Sequence, residues 1–564
     1  MQNENNTYDA IVIGSGISGG WAAKELCEKG LKTLVLERGR DVKHVQDYPT
    51  AFKHPWDFEH HNRIPYEEEV KNPIVNRCYA YDESTQHFFV KDEEHPYIQE
   101  KPLDWIRGYQ VGGKSLTWAR QTQRWSKYEF DNPSRYGYAD WPIRYDDIAD
   151  WYSHVERFVG ISGNKDGLET LPDGEFLPPW EMNVVEAKMR DNILKVFPDR
   201  RFIIGRCAHL TQPQDIHREQ GRAQCQARHL CYRGCPYGAY FSSNASTLPW
   251  AEKTGNLALQ SDSVVESIIY DENEKRAVGV NVVDRLTKEK RQYFARIIFV
   301  NAACLNTNLL LLNSKSNRFP NGLGNDNGLL GRYVMFHNYR GSIMGTFPDE
   351  LDKTVYGRRP TMMMLPNFRH LKQQDGDFKG GYMTFFAADR AGWTREVEGE
   401  QIGANYKNQL REPGVWRVFM MIQGETLPKY DNHVRLSEEQ TDAWGVPQLV
   451  TSVGYDDNDE KLLKDYFEQG EVMLQAAGCT DIRRIDDGRA PGLDIHVMGG
   501  VRMGKDPETS LLNEHNQLHQ CKNVFVTDGA CMTTTGVQNP SLTFMAITAR
   551  AADYAVEQFR NGKL

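Results

Sequence analysis

The sequence predicts an α/β chain, α+β overall, in which a nucleotide-binding βαβ unit is combined with an inserted region of antiparallel sheet. Three observations carry this. An apolar run, Tyr8-Asp-Ala-Ile-Val-Ile, breaks into Gly14, Gly16 and Gly19 and then into a helical pattern. Residues 331–484 alternate strand-like runs, rich in aromatics, with loops. The last eighty residues, 485–564, return to a buried strand from Val524 ending at Asp528, and an apolar helix from about Leu542 to Phe559.

The N-terminal unit reads strand, tight turn, helix, strand. In G-x-G-x-x-G the first glycine, Gly14, turns the backbone sharply. The second, Gly16, lets a pyrophosphate approach, and the third, Gly19, lets helix and strand pack closely. The helix aims its N-terminal amides and positive dipole end at the phosphates, and Ser18 on the same turn is a candidate contact. The helix from Trp21 to Lys29 ends at Gly30, and Thr33-Leu-Val-Leu is a second buried strand ending in Glu37 and Arg38. Glu37 lies 23 residues beyond Gly14, where a carboxylate accepts hydrogen bonds from an adenosine ribose.

At 564 residues the chain exceeds one core. Mean hydropathy of -0.63, with no run of 18 apolar residues, argues against a membrane span. A net charge of -10 without a basic stripe argues against nucleic acid as a partner. The opening residues Met1 to Thr7 carry neither a basic segment nor an apolar stretch of an export signal. The expected compartment is therefore the cytoplasm, or the periplasm if an exported partner subunit carries the chain there.

Residues 41–105 have little regular period and read as an excursion over the surface. Trp105 to Trp118 follows, with Gly112 and Gly113 permitting close approach to a flat ligand, unless it is a simple glycine loop. Ser115 and Trp118 join the candidate contacts. Ile148, Trp151, Tyr152, Val155, Phe158 and Val159 have helical spacing. Cys225, Cys231 and Cys235 then form C-x5-C-x3-C-P, with Cys207 upstream as a fourth thiol. That spacing suits an iron–sulfur cluster better than zinc, which favours paired C-x2-C; ordinary reduced thiols are the alternative. Segments at 257–260, 264–270, 277–283 and 297–300 suggest antiparallel strands and a return to the nucleotide sheet, with Val265 a candidate contact, and Thr307 to Asn313 a helix.

In the central region Tyr382, Phe385, Phe386, Trp393, Tyr406, Trp416 and Phe419 offer aromatic faces for a sugar, or form a half-buried sheet packed on its neighbour. Gln423 and Glu425 are candidates for binding sugar hydroxyls. Near the C-terminus His496 stands beside a glycine-rich turn, and a strand ends at Asp528 and Gly529. Asn539, Pro540, Ser541 and Leu542 form a helix entrance. A base beside a second polar group at such an entrance makes a workable site.

Together these segments resemble the glucose–methanol–choline (GMC) flavin oxidoreductases from end to end. Tyr8 to Glu37 looks like the ADP-binding unit, Val111 to Trp118 like the flavin loop, and Ala302 to Ser314 like the second signature. His496 to Gly504 and Asp528 to Ile547 look like the C-terminal blocks. The resemblance implies a Rossmann-like FAD-binding domain discontinuous over 1–145, 201–330 and 485–564, with the cysteine segment 207–236. It implies a substrate-binding domain over 146–200 and 331–484. It also implies a His–Asn catalytic pair, which maps onto His496 and Asn539.

The chain is most similar to the sugar-oxidising branch that includes pyranose oxidases and bacterial glucoside 3-dehydrogenases. Thr117 stands where some pyranose oxidases carry a flavin-linking histidine, so the FAD is expected to be non-covalent. Cys304 stands where the second signature usually has glycine. The cysteine segment is similar to that of bacterial FAD sugar dehydrogenases, which implies an iron–sulfur cluster, of three-iron type for three ligands. It further implies a small subunit and a cytochrome c-type acceptor. The expected activity is oxidation of a secondary hydroxyl of a sugar or glycoside to the keto sugar. The alternatives are an oxidase using oxygen, or a non-redox lyase or flavin-binding module of the same fold.

Overall fold

The computed structural model describes residues 6–355, 359–392 and 402–564. Trp393 and the first five residues, on which part of the export-signal reading rests, lie outside the described residues. The N-terminal unit forms β1 (Thr7–Ile13), α1 (Ile17–Glu28) and β2 (Thr33–Leu36). β1 lies between β2 and the strand Lys290–Val300, and the latter pairs with Cys521–Val526, all in parallel. Leu257–Gln260 adds to the far side of β2. Strands covered on both faces read as unbroken apolar runs, and Ala10 to Val12, Leu34, Val35 and Ile297 to Val300 have no exposed area.

Register is what makes the site. Ile13 lies opposite both Val300 and Leu36, and Val300 opposite Val526. The carboxyl ends of four strands are therefore level, with Gly14, Glu37, Asn301 and Thr527 along one edge, the crevice in which such sheets bind ligands. An antiparallel ribbon, Ser263–Asp271 with Arg276–Asp284, extends from the base of Lys290–Val300. Helix Ser541–Arg560 packs on α1, and helix Ala149–Val159 packs on Ser541–Arg560 and reaches Trp21 of α1 through His154 and Phe158.

A second sheet is antiparallel, in the order Thr480–Asp486, Gly341–Phe347, Trp416–Gly424, Tyr382–Arg390, Met363–Leu365, Ile203–Ile204. Helices Val184–Val196 and Asp457–Ala477 cover one face. The longer one starts at Asp456, whose side chain accepts from the amides of Asn458 and Asp459, and stops at Gly478 with φ +91°. Alternation assigns the faces. Tyr382, Phe386 and Trp416 turn to the helices as core, whereas Met383, Phe385 and Met421 turn the other way. Phe419 is half-buried, and Tyr406 lies on the helix Gly403–Arg411.

Packing crosses the residue ranges read from the sequence. Tyr152, Val155 and Phe158, and also Val334, Phe336, Val434 and Leu449, share one core with Ile298 and Val300. Ile203–Ile204 is an edge strand of the antiparallel sheet. A third sheet explains part of this: Met498–Gly500 and Arg332–Met335 pair antiparallel, Met335 opposite Met498. The excursion at 41–105 is no mere surface loop, because Val42, Tyr48, Val75 and Phe88 pack with Ile106 and Leu116 in a core of their own.

Candidate active site

A continuous cleft runs from the carboxyl edge of the parallel sheet to the inner face of the antiparallel one. At its nucleotide end the three glycines have three different surroundings. A Cβ on Gly14 would lie 2.4 Å from the Asn301 carbonyl, and one on Gly19 would lie 1.9 Å from that of Gly14. A Cβ on Gly16 would meet nothing within 4 Å. Two glycines thus serve packing, while the third keeps open a hollow at the start of α1, where backbone amides and the helix dipole favour an anion. This is the fit expected of a dinucleotide's pyrophosphate.

Glu37 Oε2 accepts from the Ser15 hydroxyl at 2.6 Å and the Ser15 amide at 3.2 Å, and Oε1 accepts from the Gly39 amide at 3.0 Å. Oε1 keeps a lone pair for a ribose hydroxyl. Burial pushes the Glu37 carboxyl upward. The Arg38 guanidinium lies 4.2 Å over the Tyr109 ring beside Val265, a flat surface at the adenine end of the cleft. Ser18, Gly113, Ser115 and Trp118 line the walls, with the Trp118 indole N–H donating to the Phe241 carbonyl at 2.9 Å. Lys114, between Gly113 and Ser115, also reaches the cleft, and burial lowers its pKa.

At the other end the cleft meets His496 and Asn539. The Asn539 side-chain amide lies 3.3 Å from His496 Nε2, and Asn539 Oδ1 is buried without a partner. Burial, His337 and Lys114 hold His496 far below the ordinary imidazole pKa, so it is neutral at pH 7. Its placement is over-determined. Ile495 is held at φ +63°, costly for a β-branched residue, with its amide donating to Gly492 O at 2.9 Å. Asp494 Oδ2 accepts from the His337 amide at 2.7 Å, and burial pushes that carboxyl up to about 7. The Asn539 amide donates to Gln123 Oε1 at 3.2 Å. Asp528 caps a short turn and accepts from Thr307 Oγ1 at 2.6 Å, with Gly529, Pro540 and Ser541 also at the cleft. Tyr79, Tyr339, Met362, Phe385 and Met421 close this end.

Several expected contacts stand elsewhere. Gly112 is behind the wall; its φ is +89°, and an added Cβ would lie 1.6 Å from Asn244 Oδ1. Leu542, on the inner side of the last helix, is wholly in the core. Gln423 does not reach the cleft: fully buried, it donates to the Val537 carbonyl at 2.8 Å and so anchors the loop that carries Asn539. Glu425 is also off the cleft, its carboxyl pushed up to about 8 by burial and by Glu129. Cys304 opens the helix Cys304–Asn313, its thiol 3.3 Å from the Gly499 carbonyl, and Ala303 before it takes φ +69°.

Cys207, Cys225, Cys231 and Cys235 are free thiols, and burial pushes Cys225 up to about 11. Cys225 and Cys235 pack on Leu210 and Ala239. Between Cys207 and Cys231 stands His209, which no motif or spacing marks out; its ring nitrogens lie 3.8 and 3.7 Å from the two sulfurs. Among the described residues no three thiols lie within 4.8 Å of one another, the spacing of a single-ion site. A cluster, which is larger than one ion, spreads its ligands farther.

The GMC oxidoreductase N-terminal family model matches residues 8–337 and the C-terminal one residues 428–548. The chain is 26% identical to the fructose dehydrogenase large subunit of Gluconobacter japonicus, over all of both chains. It is 28% identical to 2-methyl-1,2-propanediol dehydrogenase of Mycolicibacterium austroafricanum, over 99% of this chain and 97% of that one. Paromamine 6'-oxidase of Streptomyces fradiae is 26% identical over 98% and 92%. Among solved structures, pyridoxine 4-oxidase from Mesorbium loti shares the fold, with a TM-score of 0.60 and 14% identity over 97% of this chain and 98% of that one. The chain belongs to the GMC oxidoreductases, flavoproteins that bind FAD and act on CH–OH groups.

Proposed function

We propose that the protein is an FAD-dependent dehydrogenase that oxidises a secondary hydroxyl of a sugar or glycoside to the keto sugar. The observation that carries this is the neutral His496 beside Asn539 at the end of a cleft whose other end fits a dinucleotide. An alcohol carbon releases hydride readily only as its hydroxyl proton leaves. His496 Nε2 takes that proton, and the Asn539 side-chain N–H holds the same oxygen; such proton transfer contributes roughly 10²- to 10⁴-fold. The flavin, when bound, supplies the hydride acceptor at N5. Gly14 to Ser18, Glu37, Arg38, Ser115 and Asp528 would hold it. With Thr117 rather than histidine in the flavin loop, it is held without a covalent link.

Cys225, Cys231 and Cys235, with Cys207 or His209 as a fourth ligand, would hold an iron–sulfur cluster that relays electrons to an external acceptor. What supports this is the set of free thiols and what separates them from the cleft. Arg120, 4% exposed, lines the cleft and donates to the Trp118 carbonyl at 2.8 Å. Its guanidinium lies 5.2 Å from the ring of Tyr232, next in sequence to Cys231. The fructose dehydrogenase relative is named as a large subunit, which fits a small subunit and a cytochrome c-type acceptor as partners. A division of binding roles at 145, 200, 330 and 484, between regions that share one core, and a periplasmic site reached with a partner complete the reading.

The test is anaerobic bleaching of the flavin by a panel of sugars and glycosides, then reoxidation by oxygen or a dye. Bleaching by a glycoside with reoxidation by dye alone is expected. Rapid reoxidation by oxygen would make it an oxidase, and no bleaching would leave the lyase or binding-module reading. Iron and sulfide absent from anaerobically prepared protein, or a Cys231→Ser variant that reduces a protein acceptor at the wild-type rate, would remove the cluster.

A further inference from the structure

We propose that His337 is a positioning residue that fixes the tautomer of His496, leaving the nitrogen that faces Asn539 free to accept a proton. The inference rests on the reading of His496 as the base. It starts from a carbonyl. His337 Nε2 lies 3.0 Å from the Gly536 carbonyl oxygen, which can only accept, so Nε2 carries the hydrogen. Burial holds His337 down to about 4, so its ring is neutral and its Nδ1 is bare. Nδ1 of His337 lies 3.0 Å from Nδ1 of His496. Two bare nitrogens at that distance would repel, so the hydrogen between them belongs to His496. With Nδ1 of His496 protonated, its Nε2 is the bare atom, and this is the nitrogen beside Asn539.

An imidazole alone has no such fixed choice, and a base presenting N–H to the substrate hydroxyl is no base. When Nε2 takes the substrate's proton, the imidazolium keeps its Nδ1–H hydrogen bond to His337. The meeting is built by sheet pairing: Met335 lies opposite Met498 in antiparallel register, which carries the chain two residues on, at His337, towards His496 two residues back. Asp494 fastens the backbone, accepting from the His337 amide at 2.7 Å.

Two substitutions divide the ring between them. His337→Asn retains an acceptor near Nδ1 but not the Nε2 hydrogen bond; His337→Gln retains a donor towards Gly536 but no acceptor for His496. Holoenzymes carrying each, and His496→Ala, are reduced anaerobically with whichever sugar bleaches the wild type. With the tautomer lost, His337→Gln should reduce its flavin about 10²-fold more slowly, at unchanged half-saturating substrate and flavin content. His337→Asn should stay within about fivefold of wild type, the scale of one altered hydrogen bond. Equal losses in Asn and Gln would make His337 merely structural and overturn the proposal. So would a wild-type rate in Gln while His496→Ala is slow. A wild-type rate in His496→Ala would sink the base reading itself. His337, Asp494 and His496 also bring ligand atoms within 4.8 Å of one another; a stoichiometric metal ion in the holoenzyme, lost in His337→Asn, would overturn the proposal too.

Discussion

Gly16→Ala and Gly19→Ala, three residues apart in one turn, should fail in opposite ways. An alanine Cβ at position 19 would lie 1.9 Å from the Gly14 carbonyl oxygen and 2.8 Å from its carbon. Both are backbone atoms, so relief requires α1 to lift from β1, at a cost of about 3 kcal/mol or more. Position 16 has φ -65° and open space around its Cβ. Alanine there should leave the apoprotein as stable as wild type, or more stable by about 0.4–1 kcal/mol through the unfolded chain. The methyl instead occupies the hollow meant for phosphates. Overpacking by about 1–3 kcal/mol corresponds to roughly 5- to 150-fold weaker FAD binding. Urea unfolding of apoprotein together with FAD titration by flavin fluorescence measures both. Wild-type FAD affinity in Gly16→Ala would refute the assignment of that hollow, and a stable Gly19→Ala would refute the packing argument.

His496→Ala should retain flavin yet reduce it at least about 10²-fold more slowly, with Asn539→Ala losing less, in anaerobic stopped-flow. Because the His496 pKa is depressed, the base is already free at neutral pH, and reduction should fall only when pH drops through that lowered value. An acid limb centred on the ordinary 6.5 would contradict this. Acid precipitation should release the yellow colour into the supernatant, and flavin left in the pellet would reveal a covalent link. Gln423→Met leaves the Val537 carbonyl without its donor, so a stability loss of about 1–3 kcal/mol with slower flavin reduction is expected; unchanged thermal unfolding would argue against the anchor. Glu25 is held at about 2, against 4.5, since His154, Lys24 and Lys29 outweigh its burial. Its contribution, of order 3 kcal/mol, is present above pH 4.5 and lost as pH falls towards 2, a slope that Glu25→Gln should flatten in acid titration.

Local chemistry was legible in the sequence and long-range pairing was not. Gly14 to Glu37 announces itself because strand, turn, helix and acid are contiguous, and His496 with Asn539 because each sits in a motif with its own backbone purpose. His337 lies in Phe336-His-Asn-Tyr, with no spacing to mark it, and acquires its role only from the pairing of Met335 with Met498. Gln423 and Glu425 stand off the cleft for a related reason. Period-2 alternation puts Gln423 on the same face as Met421, which does line the cleft, but it cannot show that the loop carrying Val537 covers that end of the strand, where Gln423 donates to the Val537 carbonyl. His209 was hidden because its neighbours, Cys207 and Cys231, are 24 residues apart.

The strand Cys521–Val526 seals the flank of Lys290–Val300, and the helix that begins at Ser541 completes the cleft. During translation β1 therefore leaves the ribosome long before its neighbour, and that neighbour waits in turn with a bare, apolar edge until residues 521–526 have emerged. Such an edge invites pairing with another chain. A stop codon anywhere before position 521 would leave it open for good and should yield an insoluble product, however complete the rest. A stop between 527 and 538 would close the sheet yet omit Asn539 and the helix that completes the cleft, giving a product with an unfinished site.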